Sequence, residues 1–352
     1  MPAPRHFNLI GLRERGFSLL ELMVAMAISL LLLAGVIAVF LSSRSSYETT
    51  ERFSRIQENG RFALDQLAFD IRSAGYVGCS RSTNVVSTSL KNTTSLLWDF
   101  LSGPVRGFES TGAGVWTPTL DTALIPDPAP NNDVLVLRMP RREFVPLKVK
   151  SDMVLGANPI VVDDVPDALK AQDVALIYSC EAQAFFRVSS YAGGVIEHNT
   201  SLNADESVKY AFRRNAEVVP VNTVIYYVRP SASGIAGATS LWRKVGDAIP
   251  EELVEGIELM QIEYGVDTDG DDVANVYRRA DAITAADWER VLSVTIAVLV
   301  RSENEYGTDV DTRQYTLLPG INAVTFNPPA GDRRLREVFT TTSAIRNRTV
   351  ID

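Results

Sequence analysis

The sequence predicts an α+β protein, in which a long N-terminal helix with a membrane-spanning first half packs on a β-sheet head domain. Three observations predict this fold. Residues 22–41 carry no charge, no proline occurs between Pro4 and Pro104, and short extended runs follow Gly78. The 352 residues are 46% hydrophobic and 22% charged, a composition typical of a globular protein with a substantial core.

The apolar stretch over residues 22–41 is long enough to cross a bilayer. About 20 residues in a helix span roughly 30 Å, which is the thickness of the hydrocarbon layer. Arg5, Arg13 and Arg15 precede the stretch, so the N-terminus is expected in the cytoplasm and the rest of the chain on the far side. A cleaved secretory signal is the alternative. The apolar run is longer than the roughly 7 to 15 residues of such signals, and a helical pattern continues past it.

A second, amphipathic half of the helix follows over residues 42–78. Apolar residues recur there at intervals of three and four, at Phe53, Ile56, Ala63, Leu67 and Ile71. Gly75 and Gly78 supply a natural helix end. We therefore expect one helix over residues 17–74, with its second half packed on the head.

Residues 79–352 are expected to form a β-rich head. Six short apolar runs predict strands, at residues 134–137, 160–162, 174–178, 224–228, 257–264 and 292–300. The last run has apolar residues on both faces, as a well-buried strand does. Residues 80–132 are rich in Ser, Thr, Gly and Pro, which predicts a loop-rich region.

The start of the helix carries a recognisable motif. It reads GFSLLELM, with Gly16 before Phe17, Glu21 four residues beyond Phe17, and a short basic leader ahead. This arrangement strongly resembles the prepilin signature of type IV pilins and type II secretion pseudopilins. The resemblance implies that a prepilin peptidase of the inner membrane cuts after Gly16 and methylates Phe17. Residues 1–16 would then be the leader, and residues 17–41 the transmembrane and filament-core helix.

Glu21 needs an explanation because a carboxylate in a membrane helix is unfavourable by about 2.5 to 3.5 kcal/mol at the centre, and by less near the end. Ser18 and Glu21 have the spacing of a capping box, which explains tolerance of the residue but not the surrounding motif. The resemblance implies a further role. The free amine of Phe17 would be largely cationic near neutral pH, and Glu21 of a neighbouring subunit would pair with it inside a filament.

Five later stretches narrow the resemblance to the PilW family of minor pilins, over essentially the full length. In chain order they are ENGRFALDQLAFDIRSAGYVGC, NNDVLVLR, ELVEGIELMQIEYGVDTDGDD, WERVLSVTIAVLVRS and RRLREVFTTTSAIRNR. The resemblance implies a structural subunit that joins other minor pilins, the major pilin and a PilY-type tip protein. This complex would prime type IV pilus assembly, stay at or near the filament tip, and support twitching motility and adhesion.

The same resemblance implies residence in the inner membrane before assembly, with the head in the periplasm, and exposure at the pilus tip and cell surface afterwards. Two alternatives stay open. A J-type pseudopilin of type II secretion shares this N-terminus but typically has a shorter head. An adhesin or calcium-binding module that merely uses the pilin anchor is the other.

The chain has two cysteines, Cys79 and Cys180. If the head lies outside the cytoplasm, they are most simply interpreted as one disulfide. Two unrelated buried thiols are the alternative.

One acidic stretch has the composition of a cation site. VDTDGDD, residues 266–272, contains Asp267, Asp269, Asp271 and Asp272 around a glycine. Alternating carboxylates in a loop suit a hard cation such as Ca²⁺, although the stretch departs from the EF-hand pattern. The alternative is an acidic hairpin turn. No cofactor is required by the sequence, and calcium is the single candidate.

Other functional classes are disfavoured. The net charge of −9 argues against a nucleic-acid partner. A His or Cys zinc site normally needs three or four such ligands, so with two histidines and two cysteines in the whole chain it would use nearly all of them and is disfavoured. His198 is expected at the surface. Because no nucleophile elbow, phosphate loop or paired catalytic constellation occurs, we do not expect an enzyme.

The C-terminal region is basic, with arginines at positions 333, 334, 336, 346 and 348. They predict a solvated strand edge and tail. The alternative is a contact surface for an acidic neighbouring pilin.

Overall fold

The computed structural model describes residues 16, 18–76, 78, 85–112, 114–205, 208–318 and 320–346. Its one long helix, α1, spans Leu19–Ser73, so the predicted helix is confirmed within the described residues. The helix ends where Gly75 adopts a φ of +72°, a conformation that glycine tolerates best. The chain divides into two compact units, Met1–Arg52 and Phe53–Asp352, and the boundary falls within α1.

The second unit is the β-rich head. Its described residues form nineteen strands, numbered in chain order. They are β1 (Val85–Thr88), β2 (Val105–Gly112), β3 (Val115–Thr117), β4 (Val134–Pro140), β5 (Leu147–Lys148), β6 (Ile160–Val161), β7 (Val174–Tyr178), β8 (Ala182–Arg187), β9 (Ser190–Ala192), β10 (Val195–Glu197), β11 (Glu217–Pro230), β12 (Thr239–Val245), β13 (Glu251–Glu255), β14 (Ile257–Val266), β15 (Val276–Arg278), β16 (Val291–Arg301), β17 (Tyr315–Leu317), β18 (Val324–Phe326) and β19 (Arg336–Ala344). Four 3₁₀ turns accompany them, at Phe100–Ser102, Ala280–Ala282, Asp287–Arg290 and Gly320–Asn322.

The larger sheet is organised around β11. Its strand order is β1-β8-β7-β11-β4-β2-β3, with β12, β13 and β5 joined at the side. The 14 residues of β11 pair antiparallel with four strands. β7 and β5 pair with its first part, β4 with its middle and β12 with its last part, and β12 overlaps β4 over residues 224–226. This strand therefore connects the other strands of the larger sheet.

The second sheet has the order β15-β14-β16-β19. Strand β16 is buried on both faces, as the sequence predicts. Val294, Ile296 and Val298 join the main core, whereas Ala297 and Leu299 face a smaller cluster completed by β17 and β18. Two small sheets, β6-β10-β9 and β17-β18, complete the described strands.

Within the head, residues 53–73 of α1 pack into the core that joins the two sheets. Ile56, Ala63, Leu67 and Ile71 are buried there with side chains of β4, β11, β14 and β16. The predicted stripe is thus confirmed at these four positions. It is wrong at Phe53, whose side chain is 39% exposed, because the contacts with the core begin one turn later.

A short polar segment before β4 connects the sheets. Asn132 Oδ1 accepts the N–H of Met260 at 2.7 Å, and Asp133 Oδ2 accepts the N–H of Ile262 at 2.8 Å. Asp133 Oδ1 also accepts the N–H of Ser110 on β2, at 3.0 Å. The two side chains thereby satisfy backbone donors of β14 and β2 that would otherwise be buried without a partner.

Residues 80–132 are predicted to be loop-rich, and most of the described residues of this segment do lie outside strands. The three short strands in it, β1, β2 and β3, are organised by pairing with β8, β4 and β2, respectively. One sequence expectation about the head is wrong: His198 is predicted at the surface, but it is fully buried. Its ring lies 5.1 Å from that of Phe186, and its Nε2 lies 3.1 Å from the carbonyl oxygen of Ala157.

Candidate functional site

The N-terminal segment of α1 carries the predicted processing and pairing residues. Gly16, Ser18 and Glu21 are exposed, whereas Phe17 lies outside the described residues. Ser18 precedes the helix, and its Oγ accepts the Glu21 N–H at 3.2 Å. Its carbonyl oxygen accepts the Leu22 N–H at 3.1 Å. Ser18 therefore caps the helix, and Glu21 lies in the first turn, where a negative charge favours the helix dipole.

The helix that follows exposes an apolar surface on every side. The large apolar side chains of residues 22–41 are between 49% and 74% exposed. Among the described residues, α1 is the helix long and apolar enough to cross a membrane. A helix that is apolar all round needs lipid or other helices as its surroundings.

An acidic residue that was not predicted from the sequence holds the second part of α1 on the head. Asp70 is 1% exposed, and its carboxylate lies 2.8 Å from Nη2 of Arg142. The hydroxyl of Tyr226 donates to the same carboxylate. Burial and the neighbouring Asp70 charge raise the pKa of Tyr226, so this hydroxyl stays protonated. In the sequence, an aspartate on the buried face of an amphipathic helix was the signal that could have indicated this contact.

The acidic stretch forms the turn between β14 and β15. Three of its four aspartates, Asp267, Asp269 and Asp271, bring carboxylate oxygens within 4.8 Å of one another, whereas Asp272 is not part of this group. Gly270 and Asp272 have positive φ angles, of 85° and 60°, as a tight turn requires.

The Asp267 carboxylate is hydrogen-bonded to backbone N–H groups of its own turn. Its Oδ1 accepts the N–H groups of Asp269 and Gly270, and its Oδ2 accepts the N–H of Asp272. These bonds, above all the one from Gly270, lower the pKa of Asp267. The carboxylate most central to the predicted calcium site thus has its lone pairs largely in use, which fits the hairpin-turn alternative better. Calcium binding at these residues stays a prediction.

The predicted disulfide also stays a prediction. Cys180 lies in the turn between β7 and β8, but Cys79 lies outside the described residues.

The basic C-terminal run is not uniformly solvated, and for Arg336 the prediction is wrong. The Arg336 side chain is 0% exposed, with Nε 2.6 Å from Glu258, Nη2 2.6 Å from Asp332 and Nη1 3.3 Å from Asp311. A buried guanidinium requires such partners, so its location depends on Asp332 four residues earlier and on Glu258 and Asp311, which are more distant in the sequence. Arg333 and Arg334 are half-buried, Arg346 is exposed, and Arg348 lies outside the described residues.

Two family models match the sequence. Residues 11–37 match the "Prokaryotic N-terminal methylation motif", and residues 225–347 match PilW, the "Type IV Pilus-assembly protein W". The first match contains Gly16, Phe17 and Glu21. The second extends from within β11 to just beyond β19.

Among solved structures, the chain is similar to the "Type IV-like pilin TTHA1219 from Thermus thermophilus". The identity is 14%, the match covers 51% of this chain and 87% of that chain, and the TM-score is 0.24. A TM-score this low does not establish a shared fold. No curated protein matches the sequence significantly.

The N-terminal match, the apolar helix and the β-rich head make the chain similar to prepilin-type proteins. The resemblance to the PilW family of type IV pilus-assembly proteins is confirmed over residues 225–347.

Proposed function

We propose that the chain is a minor pilin that takes part in priming type IV pilus assembly and sits at or near the filament tip. The observation that carries this proposal is the presence in one chain of a methylation motif over residues 11–37 and a PilW match over residues 225–347. Its role is structural, and its partners are other minor pilins, the major pilin and a PilY-type tip protein.

The exposed apolar part of α1 supports insertion in the inner membrane before assembly. In this arrangement the head lies in the periplasm, because the arginines of the leader keep the N-terminus in the cytoplasm. Extraction from the bilayer then requires that helices of other subunits replace the lipid around residues 22–41. After assembly the head is carried to the cell surface.

Processing by the prepilin peptidase prepares this exchange. Cleavage after Gly16 removes the leader and leaves a free, methylated amine on Phe17. Glu21 of one subunit then pairs with the amine of a neighbour staggered along the filament. The pair forms inside an apolar bundle, where each charge needs the other. A subunit alone in lipid lacks this partner, so Glu21 favours assembly over the isolated state.

Deletion of the gene tests the proposal against its alternatives. Surface pili, secreted enzymes and adhesion are measured side by side in the deletion strain and in a strain complemented with the wild-type gene. Loss of surface pili with normal secretion is the expected result. Blocked secretion with normal pili would indicate a J-type pseudopilin, and reduced adhesion with a normal number of pili would indicate an anchored adhesin.

Substitution of Glu21 tests the pairing step. Glu21→Ala and Glu21→Gln are expected to insert in the inner membrane normally but to be strongly depleted from sheared pili, because both lose the charge that pairs with Phe17. The matched control is Glu58→Gln, which neutralises an exposed glutamate in the second part of α1. Incorporation of Glu21→Gln at the wild-type level would contradict the charge pairing.

A further inference from the structure

A cavity of about 570 Å³ opens in the head beside the turn between β7 and β8. Among the described residues, its lining comes from three places: the segment after α1, this turn, and residues 210–217 leading into β11. Cavities of about 300 to 1,000 Å³ are the size at which proteins hold small molecules. Nothing in the assembly role uses this cavity.

One part of its wall is a linked set of side chains. The Tyr178 hydroxyl donates to the Glu217 carboxylate, and the Tyr76 hydroxyl oxygen lies 3.3 Å from that of Tyr178. The two tyrosine rings meet edge to face, with centroids 6.0 Å apart. Burial and the bond to Glu217 raise the pKa of Tyr178, so it stays a neutral donor. These contacts hold the polar ends of both tyrosines in place without a ligand.

A second tyrosine–glutamate pair contributes to the lining. The Tyr210 hydroxyl donates to the Glu181 carboxylate at 2.6 Å, and the Tyr210 ring packs against Phe212 at 5.1 Å between centroids. Each pair occupies one carboxylate oxygen with its tyrosine hydroxyl. The remaining carboxylate lone pairs are the acceptors available to a ligand.

Cationic and amide groups complete the chemistry. Arg213, Arg214 and Asn215 line the cavity and are exposed. The Arg213 guanidinium lies 3.9 Å from the carboxylate of Asp152, in a pair so exposed that it holds the arginine only weakly. Among the lining residues that the structure describes, Arg213 and Arg214 balance Glu181 and Glu217, so these residues offer donors, acceptors and aromatic rings but carry no net charge.

From this lining we infer that the cavity binds a neutral carbohydrate of one or two sugar rings. A ligand with a net charge of either sign is attracted by one pair of these charged groups and repelled by the other, so the lining favours no net charge on its ligand. A purely apolar ligand would leave these groups desolvated without partners. Sugar hydroxyls donate to carboxylates and accept from guanidinium and amide groups, and the C–H face of a sugar ring packs on tyrosine.

The test is a binding titration on the full-length chain. The protein is purified in a zwitterionic detergent, because maltoside and glucoside detergents carry the sugar rings that the site is inferred to bind. Maltose, lactose, cellobiose and N,N′-diacetylchitobiose are titrated by calorimetry up to about 10 mM, a range that covers dissociation constants up to about 1 mM. A neutral tripeptide, trialanine, is titrated in parallel.

Two variants separate the site from the fold. Tyr210→Phe removes one hydroxyl and keeps the ring, and Glu181→Gln removes the charge of an exposed residue. Each is expected to weaken saccharide binding about 5- to 20-fold, as loss of one hydrogen-bond partner to a charged group does. The control is Glu289→Gln, an exposed glutamate in the 3₁₀ turn before β16 and outside the lining.

Saturable binding of at least one disaccharide, weakened in both variants and unchanged in the control, supports the inference. No saturable binding by a chain that unfolds cooperatively overturns it. Equal binding by all variants, or binding of trialanine in place of the saccharides, also overturns it. These outcomes do not depend on pilus assembly, so the proposed function can fail or succeed separately.

Discussion

Two parts of one helix use apolar residues in opposite ways. In α1, residues 22–41 expose their large apolar side chains, whereas between residues 53 and 73 an apolar stripe, from Ile56 to Ile71, is buried in the core of the head. The first part is apolar all round and the second is apolar on one face. A helix segment that is apolar on every side needs an apolar environment all round it. A segment that is apolar on one face packs that face on a protein core.

The two parts also treat a carboxylate differently. Glu21 is exposed at the helix start, and its proposed partner belongs to another subunit. Asp70 is buried, and Arg142 and Tyr226 of the same chain provide its partners. A buried charge is tolerated only where a partner is provided, so the location of the partner separates assembly from folding.

Truncation of one leucine in each part should show the difference between the two parts most clearly. Leu67 is 0% exposed in the second part, so Leu67→Ala is expected to lower the free energy of unfolding of the head by about 3 kcal/mol. Leu33 is 54% exposed in the first part, and Leu33→Ala should change the free energy of unfolding of the head by less than about 0.5 kcal/mol. Urea unfolding of both full-length variants in the same detergent measures the difference. Equal effects would show that the two parts share one environment.

Loss of the buried carboxylate should be the next largest effect. Asp70→Ala leaves the Arg142 guanidinium and the Tyr226 hydroxyl without their partner and is expected to destabilise the head by about 2 to 4 kcal/mol. The control is Asp65→Ala, an exposed aspartate five residues earlier on the same helix. Thermal unfolding compares the two variants. A similar shift in both would mean that general charge, and not the buried contact, matters.

Two glycines, one in each part, test the same difference through the addition of one methyl group. A Cβ on Gly60 would lie 2.5 Å from the Phe339 ring, so Gly60→Ala is expected to destabilise the head by about 1 to 3 kcal/mol. A Cβ on Gly35 would meet no atom within 4 Å, and Gly35→Ala should leave head stability unchanged. Chemical denaturation measures both. A stabilised Gly60→Ala variant would show that helix propensity outweighs the close approach to β19.

The smallest expected effect is that of pH on the stability of the head. It arises from two buried carboxyl groups, Asp133 and Glu109, that lie close to each other. Burial, and then the Glu109 charge, raises the pKa of Asp133 well above its ordinary range, and burial also raises the pKa of Glu109. A raised pKa in the folded state means that folding favours the protonated form. These two groups therefore make the head less stable as the pH rises from about 4 through their raised pKa values.

Other acids act in the opposite direction at lower pH. Although burial opposes it, the hydrogen bond from Arg336 lowers the pKa of Asp332 to about 2, so its contribution is lost as the pH falls below about 4. Maximum stability is thus expected between about pH 4 and 5. Urea unfolding between about pH 3 and 8 measures this profile, and Glu109→Gln should flatten its upper arm. A wild-type stability that rises steadily towards pH 8 would contradict the prediction.

Much of the fold was accessible from the sequence, but the polar contacts were not. The helix ends, the buried strand β16 and the stripe at Ile56, Ala63, Leu67 and Ile71 follow from periodicity, because local spacing decides which face is apolar. Strands β1 and β2 were missed because their pairing partners, not their own patterns, organise them. Asp70, Arg336 and His198 were missed or misplaced, because their burial depends on partners distant in sequence.

Three features follow from the amino-acid sequence alone: the membrane-length helix, the methylation motif at Gly16, Phe17 and Glu21, and a β-rich head. Each depends on residues close together in the chain, where composition and spacing are sufficient. The tertiary structure alone decided that Asp70 meets Arg142 and Tyr226, that Asp267 serves its own turn, and that two tyrosine–glutamate pairs share one cavity. These features join residues up to 156 positions apart, whose distances only chain folding sets.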